Sequence, residues 1–188
     1  MRNIHKAGLV HCDLHGGNIV LRSDNEPLIC DLGLSQSVNL RKLNSNIRGI
    51  LPFIAPEVFR NYKFTHKSDV YSFGIIMHLM ATGEPPFRDR QFDASLICDV
   101  IGRLRPSMPD SAPEEYNKLA EQCCDADPDK RPDTLILWSD LYELHKSNSN
   151  IWNTVYCNNV KPLSRLEKES KYSSKLLPTG GLPKQRNS

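Results

Sequence analysis

The sequence predicts a mainly α fold carrying one short β-hairpin near its start, and three observations predict it. Residues 69–82 hold a near-continuous apolar run whose side chains would cover almost every face of a helix. Amphipathic helical spacing recurs at 94–103, after Pro113 and after Pro132. Two short apolar runs, 18–22 and 27–31, are separated only by the polar Ser23, Asp24, Asn25 and Glu26, which reads as a hairpin of two strands. With 188 residues, 39% hydrophobic and 24% charged, the chain can bury one sizeable core and has an ordinary globular composition.

Taken in order, residues 1–8 suffice for about two helical turns, with Ile4 apolar, before Gly8 breaks the helix and Leu9-Val10 begins something extended. Residues 33–52 scatter Ser, Asn and Arg without a clean period and predict a long loop, a kind of segment that is usually functional. Ser68 is placed to cap the helix over 69–82, which must be buried; Gly83 ends it and Pro85-Pro86 prevents its resumption. Ser111 and Glu114 form a capping-box pattern with Pro113 in the first turn, opening a helix whose register is carried by Tyr116, Leu119, Ala120 and Cys123. The last helix carries Leu135, Leu137, Trp138, Leu141, Tyr142 and Leu144 and fades near Lys146. Beyond it Asn, Ser, Lys and Pro dominate, with only a small apolar island at Ile151, Trp152, Val155 and Tyr156. The expected organisation is a globular unit, 1–146, and a basic, mostly disordered tail, 147–188.

The formal net charge is +2, too near balance to indicate a nucleic-acid or membrane partner. The balance hides an asymmetry: from Ser147 onward five Lys and two Arg face two Glu, so the tail carries about +5 and the rest about −3. The six cysteines include no C-x-x-C pair and only the vicinal Cys123-Cys124, which excludes a zinc ribbon. Their sparse spacing, together with no leader peptide and no N-x-[ST] acceptor, implies reduced thiols and a cytoplasmic or nuclear location. The most apolar stretch, 75–81, is interrupted by His78 and is too short to cross a bilayer.

The chemistry concentrates in His11-Cys12-Asp13-Leu14-His15-Gly16-Gly17-Asn18, which sets a carboxylate five residues ahead of a carboxamide at a loop-to-strand transition. Asp31-Leu32-Gly33 follows the next strand. A hairpin brings both strand ends to one edge, so Asp13 can face a substrate hydroxyl while Asn18 and Asp31 share Mg²⁺ ions that bridge ATP phosphates. Asp31-Leu32-Gly33 alone is a turn after a strand, and His11 with His15 would make a metal pair only in a helix, which Gly16-Gly17 opposes.

From Met1 to about Lys146 the chain resembles a eukaryotic protein kinase, most closely the tyrosine kinase-like group. The resemblance implies a kinase-like C-lobe in which Asp13 is the catalytic base and Asn18 and Asp31 are the metal ligands. It implies His11 and Asp69 as supports of the catalytic loop, with Asp69, in Asp69-Val70-Tyr71-Ser72-Phe73-Gly74, holding the loop backbone. Ala55-Pro56-Glu57 would close an activation segment begun at Asp31, anchored by an ion pair between Glu57 and the Arg131 of Arg131-Pro132. The implied cofactors are ATP and Mg²⁺, and the implied partner is a protein substrate or a scaffold partner.

The chain departs from the family pattern at several positions. Cys12 stands where many kinases have an Arg that reads an activation-segment phosphate, which implies control independent of phosphorylation at Ser35, Ser37 or Ser45. Leu32 replaces the usual Phe, and Cys124 stands where the family often has Trp. Ile50 replaces a Thr whose hydroxyl would orient the catalytic Asp, and His15 replaces the phosphate-contacting Lys of serine/threonine kinases. The tyrosine-kinase Ala-x-Arg pattern is also missing from this loop, and the balance leans to Ser/Thr specificity. No G-x-G-x-x-G loop or V-A-I-K strand occurs in the sequence, so the resemblance implies a lobe without its nucleotide-gripping N-lobe and without most of the helix that normally precedes the catalytic loop. Such a lobe is expected to fold poorly alone and to be nearly inactive. Two other readings stand beside it: a kinase-derived binding module without catalysis, and a small-molecule phosphotransferase whose loop is similar to His11-Cys12-Asp13-Leu14-His15.

Overall fold

The computed structural model of the chain describes residues 1–24, 26–38, 47–147 and 175–177. The first helix, α1, Arg2–Lys6, stops at Gly8, whose φ of 70° only glycine adopts cheaply. Strand β1, Leu9–Val10, follows. The predicted hairpin is present as β2, Ile19–Leu21, and β3, Pro27–Ile29, antiparallel with Ile19 opposite Ile29 and Leu21 opposite Pro27.

The expected long loop over 33–52 is more structured than its sequence suggested. Strand β4, Gln36–Ser37, returns to pair with β1, and β5, Arg48–Gly49, leads into a 3₁₀ turn at Leu51–Phe53. These strands are two residues each, too short for an alternating pattern to be visible. Residues 39–46, and Ser45 with them, lie outside the described residues.

Five longer elements build the core: α2, Pro56–Asn61; α3, His66–Thr82; α4, Ala94–Ile101; α5, Glu114–Cys123; and α6, Thr134–Ser147. Helix α3 begins a turn before the expected cap. Thr65 is its N-cap, and Ser68 closes a capping box, its Oγ accepting from Thr65 N at 2.9 Å while Thr65 Oγ1 accepts from Ser68 N at 3.3 Å. The capping box expected at Ser111 is not formed. Pro113, at φ −56° and ψ 141°, is itself the cap of α5, so Glu114 opens the helix instead of reaching back to its cap. Glu114 pairs with Lys118 one turn on.

Helix α3 is buried on nearly every face, as its composition required, and separates two apolar clusters. Tyr71, Ile75, Ile76 and Leu79 face the cluster built with Ile50, Leu51, Val58 and α4. Val70, Met77 and Ala81 face the one built with Tyr116, Leu119 and Leu137. Helix α6 buries only Leu137 fully; Leu135, Ile136, Trp138 and Tyr142 are exposed, and Trp138 stacks on Tyr142 at 5.5 Å.

The tail, expected to be mostly disordered, supplies β6, Lys175–Leu176, antiparallel to β5. The remaining tail residues from 148 onward, the apolar island included, lie outside the described residues. Among the described residues no helix is long and apolar enough to cross a membrane.

Gly74 lets α3 pack tightly on the end of α5. A Cβ there would lie 2.6 Å from Cys124 Sγ and 2.8 Å from Cys123 Cβ. Alanine is favoured over glycine in a helix by about 1 kcal/mol, but overpacking a core costs about 1–3 kcal/mol. Contact with the α5 backbone at Ala120 O, 3.0 Å away, puts this site at the costly end. Gly74→Ala is therefore expected to lower the urea midpoint of unfolding, and a raised midpoint would show that the helices part freely.

Candidate active site

The loop after β1 is held from behind by one carboxylate. Asp69, in the first turn of α3 and 1% exposed, accepts from His11 N at 2.8 Å and from Cys12 N at 3.1 Å. A third bond joins its Oδ2 to His5 Nε2 at 2.8 Å. A buried carboxylate is costly without such partners, and bonds to an ionised acceptor are the strong ones. They help hold Cys12 at φ 70°, a left-handed conformation that costs a non-glycine residue on the order of 1–3 kcal/mol. His5, which also stacks on His66 at 4.0 Å, was not singled out in the sequence, where its partner Asp69 lies 64 residues away.

That backbone kink sets the rest of the loop. His11 Nε2 bonds Cys30 O at 3.0 Å, and its Nδ1 accepts from Asp13 N at 3.3 Å, an arrangement that fits a neutral ring protonated on Nε2. His11 thereby ties the loop to the strand end just before Asp31. Asn18 Nδ2 donates to Asp13 O at 2.8 Å, and Cys30 N donates to Asn18 O at 2.9 Å. Asp13 is 9% exposed and its Oδ2 lies 3.8 Å from His15 Nε2. His15 Nδ1 accepts from Gly17 N at 3.1 Å, so the histidine caps the 3₁₀ turn Gly16–Asn18 and turns its other nitrogen towards Asp13.

Asp31 sits at the end of the hairpin, exposed and at φ 57°, with Oδ1 accepting from Gly33 N at 3.2 Å. The hairpin thus places Asn18 and Asp31 at the ends of paired strands, as the motif spacing required. Across the loop lies β5. Gly49, at φ 140°, leaves open the space where a Cβ would come within 3.4 Å of Asp13 Oδ1. Ile50 is 4% exposed and packs into the core, so it offers the loop bulk instead of a hydroxyl.

Two further ties connect the segment after β5 to the core. Ser72 Oγ donates to Phe53 O at 2.6 Å, a contact that the sequence did not disclose. Arg131 is fully buried and grips Glu57 with both ends of its guanidinium, Nη1 to Oε1 at 2.7 Å and Nη2 to Oε2 at 2.8 Å. It also donates to Asp125 O and Lys67 O and lies over the Tyr71 ring at 5.2 Å.

Residues 1–142 match the family model of the protein kinase domain. The chain belongs to the protein kinase family. It is similar to the dual specificity protein kinase shkE of Dictyostelium discoideum, 38% identical over 132 residues, which cover 66% of this chain and 18% of that protein. It is 33% identical to the dual specificity protein kinase shkA of the same organism over 144 residues, 72% of this chain and 27% of that one. It is 31% identical to mitogen-activated protein kinase kinase kinase 12 of Rattus norvegicus over 134 residues, 70% of this chain and 15% of that one. The chain therefore spans about a quarter or less of the length of these relatives.

Protein kinases work with ATP and Mg²⁺, and the oxygen donors here suit a hard cation. The amide nitrogen of Asn18 is committed to Asp13 O, which directs its carbonyl oxygen elsewhere, and the Asp31 carboxylate is open to solvent. One carboxamide and one carboxylate are a small donor set, and among the described residues no group of three His, Cys, Asp or Glu side chains is arranged for a metal. This fits an ion that takes most of its ligands from phosphates and water.

The kinase-family loop also contains a thiol, at the position where an Arg was the expected residue. Burial, aided by Asp69, pushes the Cys12 thiol up to about 12, and burial pushes Cys124 up to about 12 as well. Cys98 is exposed. Iodoacetamide at pH 8 is expected to modify Cys98 in the native protein while Cys12, Cys123 and Cys124 react only on unfolding, as read by peptide mass mapping; fast native labelling of Cys12 would contradict the geometry.

Arg131→Met would leave Glu57, only 12% exposed at its side chain, without its partner. Breaking a buried pair from one side costs about 3–5 kcal/mol. Lys118→Met, which removes the exposed pair with Glu114, is expected to leave the denaturation midpoint unchanged. Equal effects of the two changes would mean that the Glu57 pair is effectively solvated.

Proposed function

We propose that residues 1–146 are the C-terminal lobe of a protein kinase and that they carry the base and metal ligands for transfer of the ATP γ-phosphoryl group to a protein hydroxyl, Ser or Thr in preference to Tyr. In this reading Asp13 orients the hydroxyl and takes its proton, Asn18 and Asp31 hold Mg²⁺, and His11 and Asp69 fix the loop. Glu57 and Arg131 anchor the activation segment. Mg²⁺ and ATP, when bound, supply the phosphoryl group and the neutralisation of its charge.

The observation that carries the reading is the shared loop frame. Asp13 and Asn18 are joined by the Asn18 Nδ2 bond to Asp13 O at 2.8 Å, and the backbone before them is clamped by Asp69. A turn that served only to reverse the chain would have no need of a buried acid and a strained Cys12 behind it. The names of the relatives, a dual specificity protein kinase and a mitogen-activated protein kinase kinase kinase among them, support a protein substrate.

The elements that grip ATP in kinases, a G-x-G-x-x-G loop and a V-A-I-K strand, do not occur in these 188 residues. The purified chain is therefore expected to transfer no phosphate to a generic protein substrate above the level of its own Asp13→Asn variant. A chimera that places the nucleotide-gripping lobe of shkE before Met1 supplies what is missing. In it Asp13→Asn is expected to lower kcat by about 10²–10⁴, the usual contribution of a positioned general base, with KM for ATP changed less than a few-fold. An active chimera indifferent to Asp13→Asn would remove Asp13 from the chemistry and favour a binding module.

A further inference from the structure

Two imidazoles join α1 to α3 behind the loop that carries Asp13. The His5 and His66 rings stack at 4.0 Å with an interplanar angle of 16°. Each is pinned at Nε2 by a group that can only accept, His5 by Asp69 Oδ2 at 2.8 Å and His66 by Leu9 O at 3.1 Å. Both rings therefore carry their hydrogen on Nε2, and a further proton must enter at Nδ1. His5 thus braces the carboxylate that holds His11 N and Cys12 N, while His66 braces the strand that leads into them.

We propose that His5 and His66 form a one-proton latch: with no more than one ring charged they stay stacked and hold α1, β1 and the Asp69 carboxylate together, and a second proton parts them and frees the backbone of His11 and Cys12. Two like charges this close repel strongly away from bulk water, so the rings titrate as a pair. His66 is the poorer place for a charge. It is the first residue of α3, where unpaired N–H groups disfavour a cation, and it bonds a carbonyl instead of a carboxylate. The charged groups that act on it are His5 from α1, Asp69 from α3 and Asp133 just before α6, the last paired with Lys67 at 2.6 Å. The Met1 amino group also acts on Asp69. Strand β1 adds only Leu9 and Val10, and the His11 ring turns away to Cys30 O. Burial first, then the neighbouring His5, holds His66 below its ordinary value of 6.5 against the opposing pull of Leu9 O, Asp69 and Asp133. A histidine held down in the folded state contributes stability that is complete above the unfolded value and is lost as pH falls from there. The latch is therefore closed at neutral pH and opens on acidification. Its consequence for Asp13 rests on the kinase reading above, whereas the latch itself does not.

Two measurements on the full chain test the latch. In the first, the His66 ring is titrated by NMR. Its midpoint is expected below 6.5, and to rise by about half a pH unit or more in His5→Gln, which keeps a donor for Asp69 but cannot take a proton. In the second, hydrogen exchange of the His11 and Cys12 amides is compared with the free-peptide rate at about pH 7.5 and about pH 5.5. Protection is expected to fall by about tenfold or more on acidification of the wild type, and by less than about twofold in His66→Phe, which keeps a flat ring on His5 without a titrating nitrogen. His78, buried and also held low, is common to both chains and cancels from that comparison. A His66 midpoint at or above 6.5, a midpoint unmoved by His5→Gln, or equal losses of protection in wild type and His66→Phe each overturns the proposal. So does a lack of protection at the higher pH. If His5→Gln does not fold, the wild-type titration and the His66→Phe comparison decide. None of these measurements involves phosphate transfer, so the latch and the role of Asp13 stand or fall separately.

Discussion

The bonds from Asp69 to the backbone of His11 and Cys12 are the constraint on which the site depends. A left-handed Cys12 is unfavourable by itself, and without a rigid acceptor behind it the loop would relax and turn Asp13 away. Asp69 can serve because it stands in the first turn of α3, where unpaired backbone N–H groups favour a negative charge. It is fixed there by a helix buried on almost every face. Stability therefore passes from the core, through one carboxylate, into two amide hydrogens, and His5 Nε2 adds a bond to the same Oδ2 that accepts from His11 N.

The same helix governs the segment on the far side of the loop. Ser72, three residues after Asp69, fixes Phe53 O, and Tyr71 lies beneath the Arg131 guanidinium that grips Glu57. One turn of α3 thus sets the backbone of the loop that carries Asp13, the turn after β5 and the ion pair at the start of α2. A buried pair of this kind adds little net stability over a hydrophobic replacement, but losing either partner is costly, and that asymmetry keeps the three segments in one arrangement.

How much of this was legible in the sequence follows from the range of each interaction. The burial of α3 could be read because eight apolar side chains in 69–82 left no polar face, and the hairpin could be read because its turn is polar and local. The pairing of β1 with β4 and of β5 with β6 could not, since strands of two residues have no period and their partners are far away in sequence. The caps failed in a related way: Ser68 and Ser111 have the right chemistry, but Thr65 and Pro113 hold the extended backbone that a cap requires. Asp13, Asn18, Asp31, Glu57, Asp69 and Arg131 were singled out by motif order, whereas His5 and Ser72 act through tertiary contacts that no local pattern announces.

Three positions where the family resemblance led us to expect a charged or hydroxyl group are occupied here by Cys12, His15 and Ile50. The structure offsets this loss with burial. Ile47, Ile50 and Leu51, on either side of β5, are each at most 4% exposed and pin this segment into the larger cluster. Fully burying one such side chain is worth about 1.5–3 kcal/mol, more than the 0–1 kcal/mol typical of an exposed ion pair, and it responds to neither salt nor phosphorylation. With Cys at position 12, the loop presents no cation there to receive a phosphate. What remains variable is its outer edge, because main-chain groups at 47–49 that face away from the core must be satisfied by water or by another strand. Lys175–Leu176 pair with that edge and Leu177 N donates to Ile47 O, which meets the requirement.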